Sequence, residues 1–269
     1  DFFDLLDLER PELKEVKAAV TQKNWPLAAD TLLTYYRRVF NFDACSTRLS
    51  SVDRARADLA LRHYFKGNKS YPETYRGVKI DWLSKAKLNG ELIEDKEWLF
   101  QYHRLTWWPS LAKTYFHTND KKFFNEWRYE LFSYAQQFFP MGNDSPWFMR
   151  RGMECESRNR NLLTSLKYLI QGADFDASTL LLVLYTTHSQ TEAIRRVYAE
   201  KGNHLLADLD GVLSSALQFP EFKKSKEWLD EVLQKYPNLI LSEIYSDGMN
   251  RELIFSYHTM YISLFSKFY

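Results

Sequence analysis

The stretch RPELKEVKAAVTQKNWPLAADTLLTYYRRVF, residues 10–40, contains two amphipathic segments on either side of a short polar turn. Apolar residues recur at helical spacing as Leu13, Val16 and Val20 in the first half and as Leu27, Leu32, Tyr35 and Val39 in the second. Pro11 suits the first turn of a helix, where no backbone N–H is needed. The stretch therefore predicts a helical hairpin whose turn is QKNW.

The same periodicity continues along most of the chain. It predicts helices at about 51–66, 97–117, 120–139, 157–171, 176–200, 203–218, 220–235 and 249–268. Residues 67–96 lose the period and predict a long irregular surface excursion. The segment NLILSEIYSDG, 238–248, is the one plausible extended piece. Repeated helical hairpins without a short repeat motif predict an all-α fold, an incomplete α/α toroid, over residues 1–269.

Composition narrows the function classes. The 269 residues carry a net charge of +1 and are 16% aromatic, and they contain no basic stripe or nucleic-acid motif. We therefore expect no nucleic-acid partner, and any anionic ligand must meet a local basic patch. No apolar run reaches membrane-spanning length, so no membrane span is expected. The two cysteines, Cys45 and Cys155, have no metal-site spacing, and no metal or cofactor is expected in this chain.

Polar residues cluster inside two otherwise apolar segments, GNHLLAD at 202–208 and DGMNRELIFSYHTMY at 247–261. Buried polar groups need partners, so such clusters require an explanation. Asn203 could simply cap the next helix, and His204 could be a core histidine. Tyr257 or His258 at an accessible helix start could instead act as a general acid or base. Spacing alone leaves both alternatives open.

A third polar cluster lies in FMRRGMECESRNRNLL, residues 148–163. Its mixed charges could form an internally paired, solvated helix start. Its guanidinium groups could equally bind carboxylate or sulfate, a task for which arginine suits better than lysine.

Several segments in order resemble the N-terminal domain of the heparinase II/III-like polysaccharide lyases, and among these the heparan-sulfate lyases. They are DLLDLERPELKEVKAAV, AADTLLTYYRRVF, ESRNRNLL, GNHLLAD, FPEFKKSKEWLDEVL and YSDGMNRELIFSYHTMY. The resemblance covers nearly the whole chain. It implies an incomplete α/α toroid followed by a C-terminal β-sandwich domain, with catalysis in the cleft between them. That second domain is expected as a partner and to carry the second catalytic histidine, so this chain alone should have at most feeble activity.

The resemblance also implies roles for individual residues. Asn203 is expected to contact the uronate carboxylate of an acidic polysaccharide, and Tyr257 to transfer a proton during β-elimination. The other residues expected to contact or orient the substrate are Arg158, Asn159, Arg160, His204 and Glu252.

Two other functions stay open on the sequence: a lyase for alginate or another uronate polymer, and a non-catalytic carbohydrate-binding toroid. From the family resemblance, the protein is expected in the bacterial periplasm or outside the cell.

Overall fold

The computed structural model describes residues 2–40, 48–67, 69–142 and 144–266, without the side chains of residues 264 and 265. Cys45 and the two predicted domain limits, 1 and 269, lie outside the described residues. The α-helices of the described part are α1 Lys14–Thr21, α2 Trp25–Val39, α3 Ser51–Ala60, α4 Lys96–Tyr102, α5 Trp108–Thr118, α6 Lys121–Phe138, α7 Trp147–Arg150, α8 Gly152–Leu169, α9 Ala177–Arg196, α10 Gly202–Gln218, α11 Ser225–Glu243 and α12 Phe255–Phe265. The two 3-10 helices are Phe2–Leu5 and Pro11–Leu13.

The predicted all-α fold class is confirmed, and its unit is the antiparallel helical hairpin. The first hairpin, α1 with α2, matches the prediction from residues 10–40, and Asn24 caps α2 by accepting the Leu27 N–H at 3.2 Å. Later hairpins are α5 with α6, α8 with α9 and α10 with α11. Their first helices pack side by side, with α8 between α5 and α10, and α12 follows against α10. This double layer is the incomplete toroid.

One aromatic-rich core runs through both layers. Five tryptophans are at most 1% exposed, namely Trp82, Trp98, Trp108, Trp127 and Trp228. Helices α8 and α10 bury most of their surface, whereas α6 and α11 keep an exposed polar face. Burial of such large rings supplies the main driving force for packing the hairpins together.

The predicted extended segment 238–248 is wrong over its first half. Helix α11 continues through Pro237 to Glu243, although the sequence YPN signals a turn. Tyr236 and Leu239 are 4% and 3% exposed, because this part of α11 buries one face against the neighbouring helices. Tertiary packing therefore outweighs the local cost of a proline inside a helix.

The predicted surface excursion 67–96 is only partly a surface feature. It contains the strands β2 Thr74–Tyr75, β3 Lys87–Leu88 and β4 Glu91–Leu92, while β1 Tyr64–Phe65 precedes it. Strands β1 and β2 pair antiparallel, as do β3 and β4. The segment is anchored by Trp82, 1% exposed, and by Arg76, 5% exposed, which donates to the carbonyls of Asp81 and Ser84.

Arg158 lies at the centre of the helical layers and is 1% exposed. Its Nε donates to Gln190 Oε1 of α9 at 2.7 Å. Its Nη1 donates to the His103 carbonyl at 2.8 Å and to the Tyr134 hydroxyl at 3.0 Å, and its Nη2 donates to the Met149 carbonyl at 3.0 Å. One guanidinium thus joins α8 to α9, to α6, to α7 and to the end of α4.

We predict that Arg158→Met lowers the free energy of unfolding by about 3 kcal/mol, because several buried acceptors lose their donor. The matched control is Arg160→Met on the same helix. The Arg160 side chain is 61% exposed and pairs with Glu156, so its loss should cost less than about 1 kcal/mol. Chemical denaturation measures both values. Equal losses in the two variants would show that Arg158 is not a structural centre.

Candidate active site

Asn203 lies at the start of α10. Lys201 is the N-cap, with extended backbone, and Gly202 follows with φ +72°. Only glycine adopts that conformation without strain. Asn203 therefore lies inside the first turn, and the alternative that it caps the helix is wrong. Its side chain is half-buried and forms no hydrogen bond with any residue of the described part, so its amide is available.

Glu243 connects this helix start to the segment that carries Tyr257. Glu243 is the last residue of α11 and is 8% exposed. Its Oε1 accepts the Gly202 N–H at 3.1 Å, and its Oε2 lies 3.5 Å from the Tyr261 hydroxyl of α12. Burial raises the pKa of Tyr261, and the charges of Glu243 and Glu252 raise it further, so the hydroxyl keeps its proton and donates. One carboxylate therefore ties the start of α10 to the middle of α12.

A tight loop delivers α12 to this position. Asn250, fully buried, donates to the Glu243 carbonyl at 3.3 Å and accepts the Glu252 N–H at 2.9 Å. Asp247 accepts the Met249 N–H, and Gly248 has φ +88°. Much of the motif DGMNREL therefore serves to shape the loop. The Glu252 side chain is half-buried near Tyr261 and can orient this region.

Tyr257 lies in the first turn of α12 and is half-buried. Tyr261, one turn later on the same face of the helix, is fully buried beside Glu243. Tyr257 therefore lies near the part of α12 that Glu243 links to the start of α10. The neighbouring His258 has a buried Nδ1 without a hydrogen-bond partner among the described residues.

A continuous row of polar contacts leads away from Asn203 along the helix starts. We call it the Arg104–His204 row; its members are Arg104, Glu154, Arg151 and His204. Glu154 is fully buried, with Oε1 2.8 Å from Arg104 Nη2 and Oε2 3.4 Å from Arg151 Nε. Arg151 Nη2 lies 3.4 Å from His204 Nδ1. These residues precede or begin α5, α8 and α10, which pack side by side.

His204 is neutral in this setting. Burial lowers the pKa of His204, and the nearby Arg151 guanidinium lowers it further. Because Arg151 can only donate, Nδ1 accepts and Nε2 carries the proton of the neutral ring. An uncharged imidazole with a fixed N–H thus lies directly after Asn203.

Asp208, one turn after His204, is the most strongly perturbed acid of this region. It is 1% exposed, its Oδ2 accepts the Ala199 N–H at 2.8 Å, and its Oδ1 has no hydrogen-bond partner in the described part. A Cβ on Gly152 would lie 2.1 Å from Oδ1, so glycine is required for this close approach. Burial, with smaller contributions from Glu156 and Glu154, raises the pKa of Asp208 to about 7.

The three predicted substrate contacts on α8 are separated from Asn203. Arg158 is buried with its donors occupied, which contradicts the prediction that it binds substrate. Asn159 is 1% exposed and donates to Ser215 Oγ at 2.9 Å. Arg160 is exposed and, with Asn159, lines a groove of about 490 Å³ between α8 and α10. That groove reaches α10 at Gly211, about 12 Å along the helix from Asn203.

The acidic side chains of the charged cluster 148–163 pair with arginines, as predicted for an internally paired helix start. They are buried, so the predicted exposure to solvent is wrong. Glu154 and Glu156 are 0% and 6% exposed, and both pair with arginines. Neither Glu243 nor Asp208 was predicted as a site residue from the sequence. Glu243 carried no signal, whereas the i, i+4 spacing of His204 and Asp208 could have indicated a shared helical face.

The described residues contain no group of three or more histidine, cysteine or acidic side chains placed to hold a metal ion. Of the helices that the structure describes, none combines the length and apolar character needed to cross a bilayer.

Comparison with known proteins agrees with this architecture. A sequence model described as the heparinase II/III N-terminus matches residues 2–269. The heparin-sulfate lyase of Pedobacter heparinus is 31% identical over 99% of this chain, and that of Bacteroides stercoris is 27% identical over 99%. A crystal structure of a heparan sulfate lyase from Pedobacter heparinus superimposes with a TM-score of 0.85 at 30% identity, covering 99% of this chain and 43% of that one.

The fold and the family match together define an α-helical domain of the kind described as the heparinase II/III N-terminus. The chain belongs to the heparinase II/III family. It spans 41% and 43% of the lengths of the two curated relatives.

We predict that Asp208→Asn becomes progressively more stabilising, relative to wild type, as pH rises from about 4 to 7. The folded protein holds the Asp208 proton up to about pH 7, whereas the unfolded chain releases it near pH 4. Wild type therefore loses stability across this window, by about 4 kcal/mol at most. The asparagine cannot ionise and still accepts the Ala199 N–H.

Denaturation at pH 5 and pH 8 tests this expectation. A stability difference between the variant and wild type that stays constant across the two pH values would show that Asp208 ionises normally.

Proposed function

We propose that this chain is the helical half of a lyase that cleaves a uronic-acid polysaccharide, heparan sulfate, by β-elimination. The observation that supports the proposal is the Glu243 link, which joins the start of α10, next to Asn203, to Tyr261 of α12, one helical turn after Tyr257. The curated relatives named heparin-sulfate lyases support the substrate.

The chemistry explains the residue types. A base removes the C5 proton beside the uronate carboxylate, the electron pair forms the C4–C5 double bond, and the C4–O bond breaks. An acid protonates the departing glycosidic oxygen. Charge that develops on the carboxylate in this step is stabilised by the neutral Asn203 amide, which adds no titrating group. The low pKa of His204 likewise provides an uncharged N–H donor next to it.

Tyr257 is proposed as one of the two proton-transfer groups. The second is the histidine expected on a C-terminal β-sandwich, and the relatives are long enough to contain such a domain. We also propose, from the family resemblance, that the protein works in the bacterial periplasm or outside the cell.

The proposal predicts that Tyr257→Phe lowers kcat on heparan sulfate by about 10²- to 10⁴-fold. Asn203→Ala should lower it by about 10²- to 10³-fold. The assay follows the ultraviolet absorbance of the unsaturated uronate product, using the full natural reading frame that contains this sequence. Tyr129→Phe is the matched control, because Tyr129 is half-exposed on the outer helix α6 and should leave kcat unchanged.

Alginate is assayed in parallel. Cleavage of alginate alone would keep the mechanism and overturn the proposed substrate. Absence of product from every uronate polymer would overturn the lyase proposal and favour a carbohydrate-binding toroid. Full activity in Tyr257→Phe would remove the tyrosine from the reaction.

A further inference from the structure

A second recess lies at the other end of the Arg104–His204 row. It has a volume of about 570 Å³ and is lined by one side of α3, by β1 and the residues after it, and by the chain just before α5. We call it the α3–α5 pocket. None of the residues predicted from the sequence as catalytic or substrate-binding lines it.

The charge of the α3–α5 pocket is strongly positive. Among the described residues that line it, four are cationic, Arg56, Lys66, Lys69 and Arg104, and one is a carboxylate, Glu73. The first three are exposed and form no ion pair with any residue of the described part. A chain of net charge +1 thus concentrates unpaired cations in one concave place. Such concentration attracts anions and raises their local concentration.

The floor of the pocket is rigid and aromatic. Phe65 stacks on Trp107 with ring centroids 4.2 Å apart, and both side chains are 2% exposed. A Cβ on Gly67 would lie 2.4 Å from the Trp98 carbonyl, so the chain that carries Lys66 is pressed onto the core. Tyr64 also lines the pocket with 40% of its surface exposed, and its ring packs against Tyr75.

A chain of side-chain contacts joins the pocket to the start of α10. Arg104 lines the pocket and also contacts Glu154, and the row then passes through Arg151 to His204. Two helix spacings, from α5 through α8 to α10, separate the pocket from Asn203. This distance is roughly 16–20 Å. A linear polymer bound at Asn203 would reach the pocket by extending over this distance.

We propose that the α3–α5 pocket is a remote subsite that binds a sulfated sugar of the polysaccharide through Arg56, Lys66 and Lys69. The proposal takes its ligand class, a sulfated polysaccharide, from the proposed function. Binding at the pocket does not depend on the lyase reaction itself. The pocket then contributes affinity for long sulfated chains, whereas Asn203 and Tyr257 act at the bond that is cleaved.

The test compares two triple variants of the full-length protein. Arg56→Ala/Lys66→Ala/Lys69→Ala removes the three pocket cations. Arg38→Ala/Lys14→Ala/Lys23→Ala removes the same three charges from exposed positions elsewhere, and these residues likewise form no ion pair in the described part. Calorimetric titration with size-fractionated heparan-sulfate oligosaccharides gives Kd, and thermal unfolding confirms that both variants fold.

We expect the pocket variant to raise Kd for long heparan-sulfate chains by about 10- to 100-fold, with the control variant unchanged. The shortest cleavable oligosaccharide should bind both variants equally, since it cannot span both sites. If wild type cleaves heparan sulfate, KM on the polymer should rise in the pocket variant while kcat stays the same. Chemically desulfated chains should bind wild type and the pocket variant alike.

Unchanged Kd in the pocket variant, or an equal loss in the control variant, would overturn the subsite while leaving the lyase proposal intact. If the pocket variant, but not the control variant, also bound desulfated chains more weakly than wild type does, the assignment of the pocket to sulfate would be overturned. If wild type cleaves no uronate polymer, the lyase proposal is overturned. If the pocket variant alone then binds heparan sulfate more weakly, the binding site in the pocket is still supported.

Discussion

The buried guanidinium of Arg158 is the interaction on which the packing of the helical layers depends. A cation in an apolar interior is costly unless every donor has a partner. Here two backbone carbonyls, an amide oxygen, a hydroxyl and the sulfur atoms of Met141 and Cys155 supply the partners. Its partners belong to segments as distant in sequence as His103 and Gln190. The geometry of these acceptors therefore specifies how α4, α6, α7 and α9 meet α8, which apolar contact alone would leave less defined.

Much of the candidate site lies at the ends of packed helices, at the starts of α8 and α10 and at the end of α11. Packing α8 against α10 brings Gly152 onto Asp208, and the same neighbours align Glu154, Arg151 and His204 in one row. Backbone N–H groups and arginines at these ends make the surface favourable for anions. Glu243 then links the start of α10 to Tyr261 of α12. A long acidic polymer fits such an extended polar edge better than a closed pocket would.

Much of the fold could be predicted because the regular spacing of apolar residues that marks a helix is contained in a short stretch of sequence. The hairpin of residues 10–40 shows this, with a turn and an Asn24 cap that the sequence contains in full. Pro237 shows the limit, since burial of Tyr236 and Leu239 keeps α11 helical where local chemistry indicates a turn. In the site, resemblance pointed to Asn203 and Tyr257. The resemblance also predicted that Arg158 binds substrate, which is wrong. Arg158 faces the core, whereas Arg160, two positions later on α8, faces the groove. Glu243 and Asp208 depend on contacts between helices distant in sequence, which no local pattern contains.

The central claim is that Asn203 and Tyr257 form one site for a uronate. A crystal structure of the full-length Tyr257→Phe protein with a heparan-sulfate tetrasaccharide tests it most directly. The account predicts a uronate carboxylate within about 3 Å of the Asn203 amide nitrogen, with the sugar ring over residue 257. An oligosaccharide bound only in the groove between α8 and α10, next to Arg160, would contradict it.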